Sequence, residues 1–386
     1  VKRLPFEYAT RNLGRSTTRL VLTVCSSGLV VLLIMIAGGF MVGMQTTLDV
    51  SGSKNNIMLL GAGSVESVER SEVGMDTAGI VAASINGFRK RAGIEGVSPE
   101  IHIQMPIDVD GEDRLVLIRG VKPEAFLVHD QVRISKGYAP RNGRNELLIG
   151  KLTARTIGYD TPEESIGKTV ILDEDEYTIT GVLEADGGII EGEMWTSLTD
   201  LQITTQRDTL SCVVVALDHA KASDLEAFAA SRIDLELVAI SENEYFSMLS
   251  QFYKPIEMMV VMTCIMIAIG GLLGGFNATY AAFASRVREV GSLQTLGYKR
   301  SAIAISLVQE SILTASVGAI MASGIAMVFL DGFTVRFSMG TFTLSMDASI
   351  VALGIASGLL LGIVGAIAPA IRCLQLPIPE ALRAPE

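Results

Sequence analysis

The chain has 386 residues, 49% of them hydrophobic and 19% charged, and a formal net charge of −11. The apolar excess sits in a few long uncharged runs, which points to a membrane and away from one large soluble core. Residues 45–254 hold 34 acidic and 19 basic side chains, a net of −15, which argues against nucleic acid as a partner because binding phosphates needs positive charge.

Residues 1–19 form a basic opening segment carrying Lys2, Arg3, Arg11, Arg15 and Arg19 against Glu7. Its apolar positions are compatible with a short helix at the membrane surface, or with a plain topology signal. The first long apolar run, residues 20–44, exceeds the roughly 7–15 residues of a signal-peptide core and shows no small-x-small cleavage site, so it is read as a retained helix. A span needs about 20 apolar residues to cross a hydrocarbon layer of roughly 30 Å. Three further stretches meet that condition, with apolar runs at residues 258–285 (the span being drawn from 255), 302–330 and 348–371, and Glu310 is the one charge within those runs.

Between the first and second runs, residues 45–254 alternate short β-rich segments with helical ones. Strands are expected at 57–60, 101–105, 115–118, 147–149, 169–172, 177–183, 213–217 and 235–240, and helices at 77–92, 151–157, 197–206 and 221–230. About 200 residues suffice for a separate core, in one lobe or two. Residues 61–74, rich in Gly, Ser and Glu, read as a mobile loop. The predicted fold class is four transmembrane α-helices plus a large mixed α/β extracytoplasmic domain between the first and second helices.

Orientation follows from the basic residues, which are retained on the cytoplasmic side. Loop 286–301 carries Arg286, Arg288, Lys299 and Arg300 against Glu289, and the tail 372–386 carries Arg372 and Arg383, whereas loop 331–347 has Arg336 between two acids. Both termini are therefore expected in the cytoplasm, with 45–254 and 331–347 outside.

Small residues recur every fourth position, at Gly39 and Gly43, Gly270 and Gly274, Gly271 and Gly275, and Gly354, Gly358 and Gly362. Such a face lets helix backbones approach closely where lipid supplies no hydrophobic force. Chemistry is sparse. Gly167, Lys168 and Thr169 end like a phosphate-binding loop, but Pro162 stands where the first glycine is required. Asp173–Glu176 reads as a solvated hairpin turn. The four cysteines, Cys25, Cys212, Cys264 and Cys373, have no zinc spacing, and His102, His129 and His219 are read as ordinary polar or surface residues. No catalytic, cofactor or metal residue is expected. Glu310 is weighed between a structural or coupling use and interfacial solvation.

The second cytoplasmic loop carries the strongest pattern. Asn277, Arg286, Arg288, Glu289, Val290, Gly291, Leu296, Gly297, Lys299, Arg300 and Glu310 follow one another in a way that resembles the signature of the MacB/FtsX/LolC-type ABC transporter permeases. Residues 9–19, the closing Pro369, Ala370, Arg372, Pro377, Glu380, Ala381, Leu382 and Arg383, and the external segments 145–150 and 167–183 resemble the family more loosely. The resemblance implies a permease in the bacterial inner membrane, paired with a second copy or paralogue and with a cytoplasmic ABC ATPase subunit that is a separate chain. ATP and Mg would be bound on that partner and none on this chain. Arg286, Arg288 and Glu289 would supply charged contacts, Leu293 and Leu296 would fill an apolar groove, and Gly291 and Gly297 would permit close approach or a turn. Nucleotide-driven motion would move the external domain by mechanotransmission, acting on lipid, lipoprotein, peptide or an envelope enzyme. The alternatives are an anchored extracytoplasmic sensor or adhesin without ATPase coupling, and an ion-coupled transporter, which would need polar sites midway across the membrane.

Overall fold

A computed structural model of the chain describes Tyr8, Thr10 and residues 17–109, 111–337, 340–375, 377 and 379. Most of the basic opening segment, and the closing Glu380, Ala381, Leu382 and Arg383, lie outside the described residues. The chain divides into two compact units. One comprises residues 1–42, 255–333 and 344–386, the other residues 43–254 and 334–343.

Among the described residues, four helices are long and apolar enough to cross a membrane: Thr17–Ser51, Glu242–Ala284, Arg300–Phe329 and Ala348–Leu374. Two begin or end well beyond the apolar runs. The second starts at Glu242 because Tyr245, Leu249 and Tyr253 recur every fourth residue and are buried, a helical stripe too polar between its apolar positions to read as a span. It also holds Pro255 in its interior.

Glycine brings the first, third and fourth spans together. A Cβ at Gly358 would lie 2.5 Å from the Ala319 Cβ, one at Gly362 would lie 3.0 Å from the Ala315 Cβ, and one at Gly354 would lie 2.5 Å from the Met35 Sδ. The Gly28 Cβ position is 3.1 Å from the Gly318 carbonyl oxygen. Contacts this close replace the hydrophobic drive that lipid removes. The second span differs: a Cβ at Gly271 would meet Val30 at 2.7 Å, but Gly270, Gly274 and Gly275 have nothing within 4 Å.

The other unit is built on ten strands: β1 Asn56–Gly61, β4 Val97–Val109, β5 Glu112–Val121, β6 Arg133–Gly137, β7 Glu146–Gly150, β8 Thr169–Leu172, β9 Asp175–Glu184, β10 Glu193–Ser197, β11 Cys212–Ala216 and β12 Leu237–Ser241. Small hairpins are formed by β2 Lys90–Arg91 with β3 Ile94–Glu95, and by β13 Thr334–Phe337 with β14 Gly340–Thr343. The large sheet runs β12-β1-β11-β4-β5-β10-β7-β9-β6, with β8 beside β4 and β9. Only β5 with β10 and β7 with β9 are parallel within it.

The thirteen-residue β4 joins the two halves, pairing β11 through residues 97–100 and β5 through 101–109. One apolar cluster runs from Ile57 and Val213 through Ile101 and Ile118 to Leu147 and Ile179. The two halves therefore share a core.

Sequence and structure part at two places in this unit. The helix expected over 77–92 stops at Ser84, because Gly87 turns the chain at φ +102° with its Cβ position 2.7 Å from the Ala220 amide nitrogen, a conformation and spacing that exclude a helix. Residues 61–74 are ordered by packing: Val73 pairs with Leu210 in both directions, and the buried Ser71 hydroxyl accepts the Gly61 N–H at 2.9 Å. The acidic turn is a hairpin, with Asp173 and Glu174 both at positive φ between β8 and β9.

Candidate functional site

The loop between the second and third spans folds into a nine-residue helix, Val287–Thr295. Its apolar positions fall on one face: Val287, Val290 and Gly291 are buried, and Val290 packs with Phe283, Ile303, Leu307, Ala370 and Leu374. Gly297, at φ +90°, ends the helix; its N–H bonds the Gln294 carbonyl, and the Tyr298 N–H bonds that of Leu293. Only glycine takes this left-handed position without strain, which is why it follows so many helix ends.

The residues singled out in this loop separate into two sets. Arg286 turns inward, donating from Nη1 to both Glu310 carboxylate oxygens at 2.8 and 3.1 Å and from Nε to Glu289 at 3.3 Å. Glu289 also accepts the Tyr8 hydroxyl. Glu310, 7% exposed, is therefore held by the loop that precedes its own helix, and not by solvent. Leu293 is half-buried against the same cluster. The outward set is Arg288, Ser292, Thr295, Leu296, Gly297, Lys299 and Arg300, and Leu296 is 66% exposed. A loop helix fastened on one side thus leaves Arg288, Leu296, Lys299 and Arg300 exposed. Gly354, Gly358 and Gly362 lie on the packed helix face described above, away from this loop in sequence.

A second constellation, in the α/β unit, went unread in the sequence. His219 is at the surface, with its side chain 88% exposed, whereas His102 and His129 are buried in one polar cluster, so these two are polar residues of the core and not of the surface. The sheet creates the cluster. Cys212 on β11 stands opposite Glu100 on β4, and His102, two residues further along the same strand, stands opposite Arg119 on β5. Period-two alternation puts Glu100 and His102 on one face, with Ile101 and Ile103 on the other.

Glu100 accepts four hydrogen bonds: Ser98 Oγ at 2.8 Å and His129 Nε2 at 2.8 Å on Oε1, and His102 Nε2 at 3.1 Å and Arg119 Nη1 at 3.0 Å on Oε2. Arg119 also donates to both oxygens of Glu193 at 2.6 and 2.7 Å, and Trp195 Nε1 donates to Glu193 at 2.9 Å. Glu242, the first residue of the second long helix, accepts from the Asn56 amide at 2.9 Å and the Ser53 N–H at 3.1 Å. Its Oε1 lies 3.6 Å from His129 Nδ1, which has no hydrogen-bond partner.

Burial alone would raise the carboxyl pKa of Glu100, but the adjoining His129 and Arg119 charges hold it well below the usual range. Burial would lower His129, and Glu100 reverses the shift and raises it. Burial and Arg119 together push His102 down, while burial and the nearby Glu100 push the Cys212 thiol well up. The signal available in the sequence was the run Glu-Ile-His-Ile at 100–103, whose two polar residues share a strand face.

Two packed units, one an α-helical membrane bundle and the other an inserted α/β sheet domain, define a permease with an extramembrane domain carried between its first two spans. A model of the MacB-like periplasmic core domain matches residues 20–231 and a model of the FtsX-like permease C-terminal region matches residues 260–378, and the chain belongs to this MacB/FtsX-type family of ABC transporter permeases. It is similar to the macrolide export ATP-binding/permease protein MacB of Escherichia coli, at 23% identity over 268 residues, covering 66% of this chain and 41% of that one. The MacB of Rhodopseudomonas palustris strain HaA2 is 20% identical over 306 residues, covering 75% of this chain and 46% of the relative. The chain thus spans less than half the length of these relatives. Among solved structures, the periplasmic region of MacB from Actinobacillus actinomycetemcomitans aligns with 54% of this chain and 97% of its own at a TM-score of 0.40 and 9% identity.

Proposed function

We propose that this chain is the membrane subunit of an ABC transporter that transmits motion from a cytoplasmic ATPase, on a separate chain, to its extracytoplasmic domain. The supporting observation is the loop helix 287–295. Force entering a membrane protein needs an element that is both docked and stiff, and this helix is fixed inward through Arg286 and Glu310 while it offers Arg288, Leu296, Lys299 and Arg300 outward. An exposed apolar residue in a loop that also exposes three cations fits a groove with an apolar floor and an acidic rim. The loop faces the cytoplasm in this reading, as do both termini, and the α/β unit lies outside the bacterial inner membrane.

A second permease copy or paralogue would complete the assembly, with ATP and Mg on the ATPase and none on this chain. The inward residues Arg286, Glu289, Gly291 and Leu293 shape and hold the helix, and the outward ones bind. The external domain would act on a lipid, lipoprotein, peptide or similar molecule, or on an envelope enzyme.

The test is Arg288→Glu with Leu296→Asp in the tagged full chain, purified in mild detergent from its native host. The wild type should recover an ABC ATPase, identified by its nucleotide-binding sequence motifs, together with ATP hydrolysis. The double variant should insert to the same level and lose both. Wild-type recovery and hydrolysis in the variant would reject the coupling role of this face.

A further inference from the structure

We propose that Glu100, His102 and Cys212 form a binding site for one divalent transition-metal ion of the zinc class in the core of the α/β unit. The donor atoms are already gathered: His102 Nε2 is 3.1 Å from Glu100 Oε2 and 3.8 Å from Cys212 Sγ, and all three lie within 4.8 Å of one another. Metal–ligand lengths of about 2.0–2.3 Å in a tetrahedron place N/O donors about 3.3 Å apart and N/S donors about 3.6 Å apart. The two His102 separations differ from these by about 0.2 Å, and the Glu100 and Cys212 donor atoms lie within 4.8 Å of each other. All three side chains are buried, and the strands that carry them are in direct register, Cys212 opposite Glu100 with His102 on the same face. A site on rigid strands is held more closely than one on loops.

The surroundings complete the case. Glu100 Oε1 is oriented by Ser98 and His129, and Arg119 occupies one side of Oε2, so the carboxylate has the outer hydrogen bonds that fix a metal ligand in place. The Arg119 cation does not oppose the metal unbalanced, because its Nε and Nη2 are spent on Glu193.

A cavity of about 40 Å³, lined by Glu100, His102, His129 and Glu242, opens beside the donors toward the half-exposed Glu69 and Phe246. It gives an entry path and room for a water at a fourth position. His129 Nδ1, 1% exposed and without a hydrogen-bond partner, also belongs to this cavity wall. Mixed sulfur, nitrogen and oxygen donors select zinc-class ions over magnesium or calcium, which take oxygen alone. On binding, the Cys212 S–H bond breaks as the metal–sulfur bond forms and its proton leaves to solvent, while the His102 imidazole loses the Nε2 proton it shares with Glu100, takes one up on Nδ1 and binds through Nε2 as its Nδ1–H tautomer.

The experiment uses the full chain in detergent, stripped with a chelator and titrated with cobalt(II), whose thiolate charge-transfer and tetrahedral ligand-field bands report the site. We expect saturation at one equivalent, displacement by zinc(II), loss of the thiolate band in Cys212→Ser, and its retention when Cys25, Cys264 and Cys373 are all replaced by serine. Ser98→Ala should weaken binding roughly 10-fold. Trp195, the single tryptophan, bonds Glu193 inside the cluster, so an unchanged fluorescence maximum verifies that Cys212→Ser is folded. Absence of a cobalt–thiolate band in the stripped wild type overturns the proposal whatever the variants do, and so does an equal band in folded Cys212→Ser. The site does not rest on ATPase coupling, so either can fail alone.

Discussion

Replacing Gly358 by alanine tests whether the membrane unit is held by glycine-mediated contact. The new Cβ would stand 2.5 Å from the Ala319 Cβ and 3.4 Å from the Val31 Cγ2. Carbon atoms pack best at about 3.5–4.0 Å, so the third and fourth spans must separate by about 1 Å along this stretch. Overpacking of this kind costs about 1–3 kcal/mol, set against a helix-propensity gain of about 1 kcal/mol for replacing glycine. Gly324 on the third span has nothing within 4 Å of its Cβ position, so Gly324→Ala carries the propensity gain alone. The two variants should therefore differ by about 1–3 kcal/mol, with Gly358→Ala the less stable, in unfolding titrations with SDS in mixed micelles. Gly358→Leu should fail to accumulate as a folded chain. Equal unfolding midpoints for the two alanine variants would show that the close approach contributes no stability and would refute the packing argument.

Arg286→Gln, Glu310→Gln and the double variant should give a coupling energy of about 2 kcal/mol in the same titration, between the values for exposed pairs and buried ones, because their side chains are 12% and 9% exposed; additive effects would remove the pair as the fastening of the loop helix. Arg119→Met leaves Glu100 and Glu193 buried without their shared cation, so it should destabilise the α/β unit by about 3–5 kcal/mol, read through Trp195 fluorescence during denaturation. The hydrogen bond from Arg141 holds the Glu146 carboxyl below its ordinary value. A depressed folded pKa stabilises above the unfolded pKa and loses that contribution as pH falls through the folded one, so Glu146→Gln should flatten the acid limb of the stability profile; an unchanged limb would remove Glu146 from it.

The spans were legible because lipid imposes a single requirement, length without charge, that a run of residues either meets or fails. The strands of the α/β unit were legible in the same local way: residues 57–60, 147–149 and 169–172 each fall within β1, β7 and β8. Where local rules met a tertiary contact, they lost. Ala82 and Ala83 favour helix, and what ends that helix is the turn at Gly87 against residues 219 and 220, more than 130 positions away in sequence. The same limit hid the start of the second long helix at Glu242, since its buried stripe is defined by what it covers.

The buried cluster shows why a list of chemically capable residues is not yet a site. Glu100, His102, Arg119, His129, Glu193, Cys212 and Glu242 are scattered over 143 positions of sequence, and only register brings them together: one residue of slip between β4 and β11 would turn Cys212 to the opposite face from Glu100. In the loop helix the reverse holds. Seven residues adjacent in sequence looked like one functional set, and folding divides them, because a helix sends Val290 and Leu293 inward and Arg288 and Leu296 outward. Sequence proximity therefore overstates what acts together on a helix and understates what acts together in a sheet. The consequence is specific: Glu289→Lys acts on the inward Arg286 and Tyr8 contacts and should loosen the loop itself, whereas Leu296→Asp should leave the loop folded and remove only what it binds. Limited proteolysis of the two variants in detergent separates these outcomes, with new cleavage between residues 286 and 300 expected for Glu289→Lys alone. Cleavage of both variants, or of neither, would mean that the inward and outward faces are not independent.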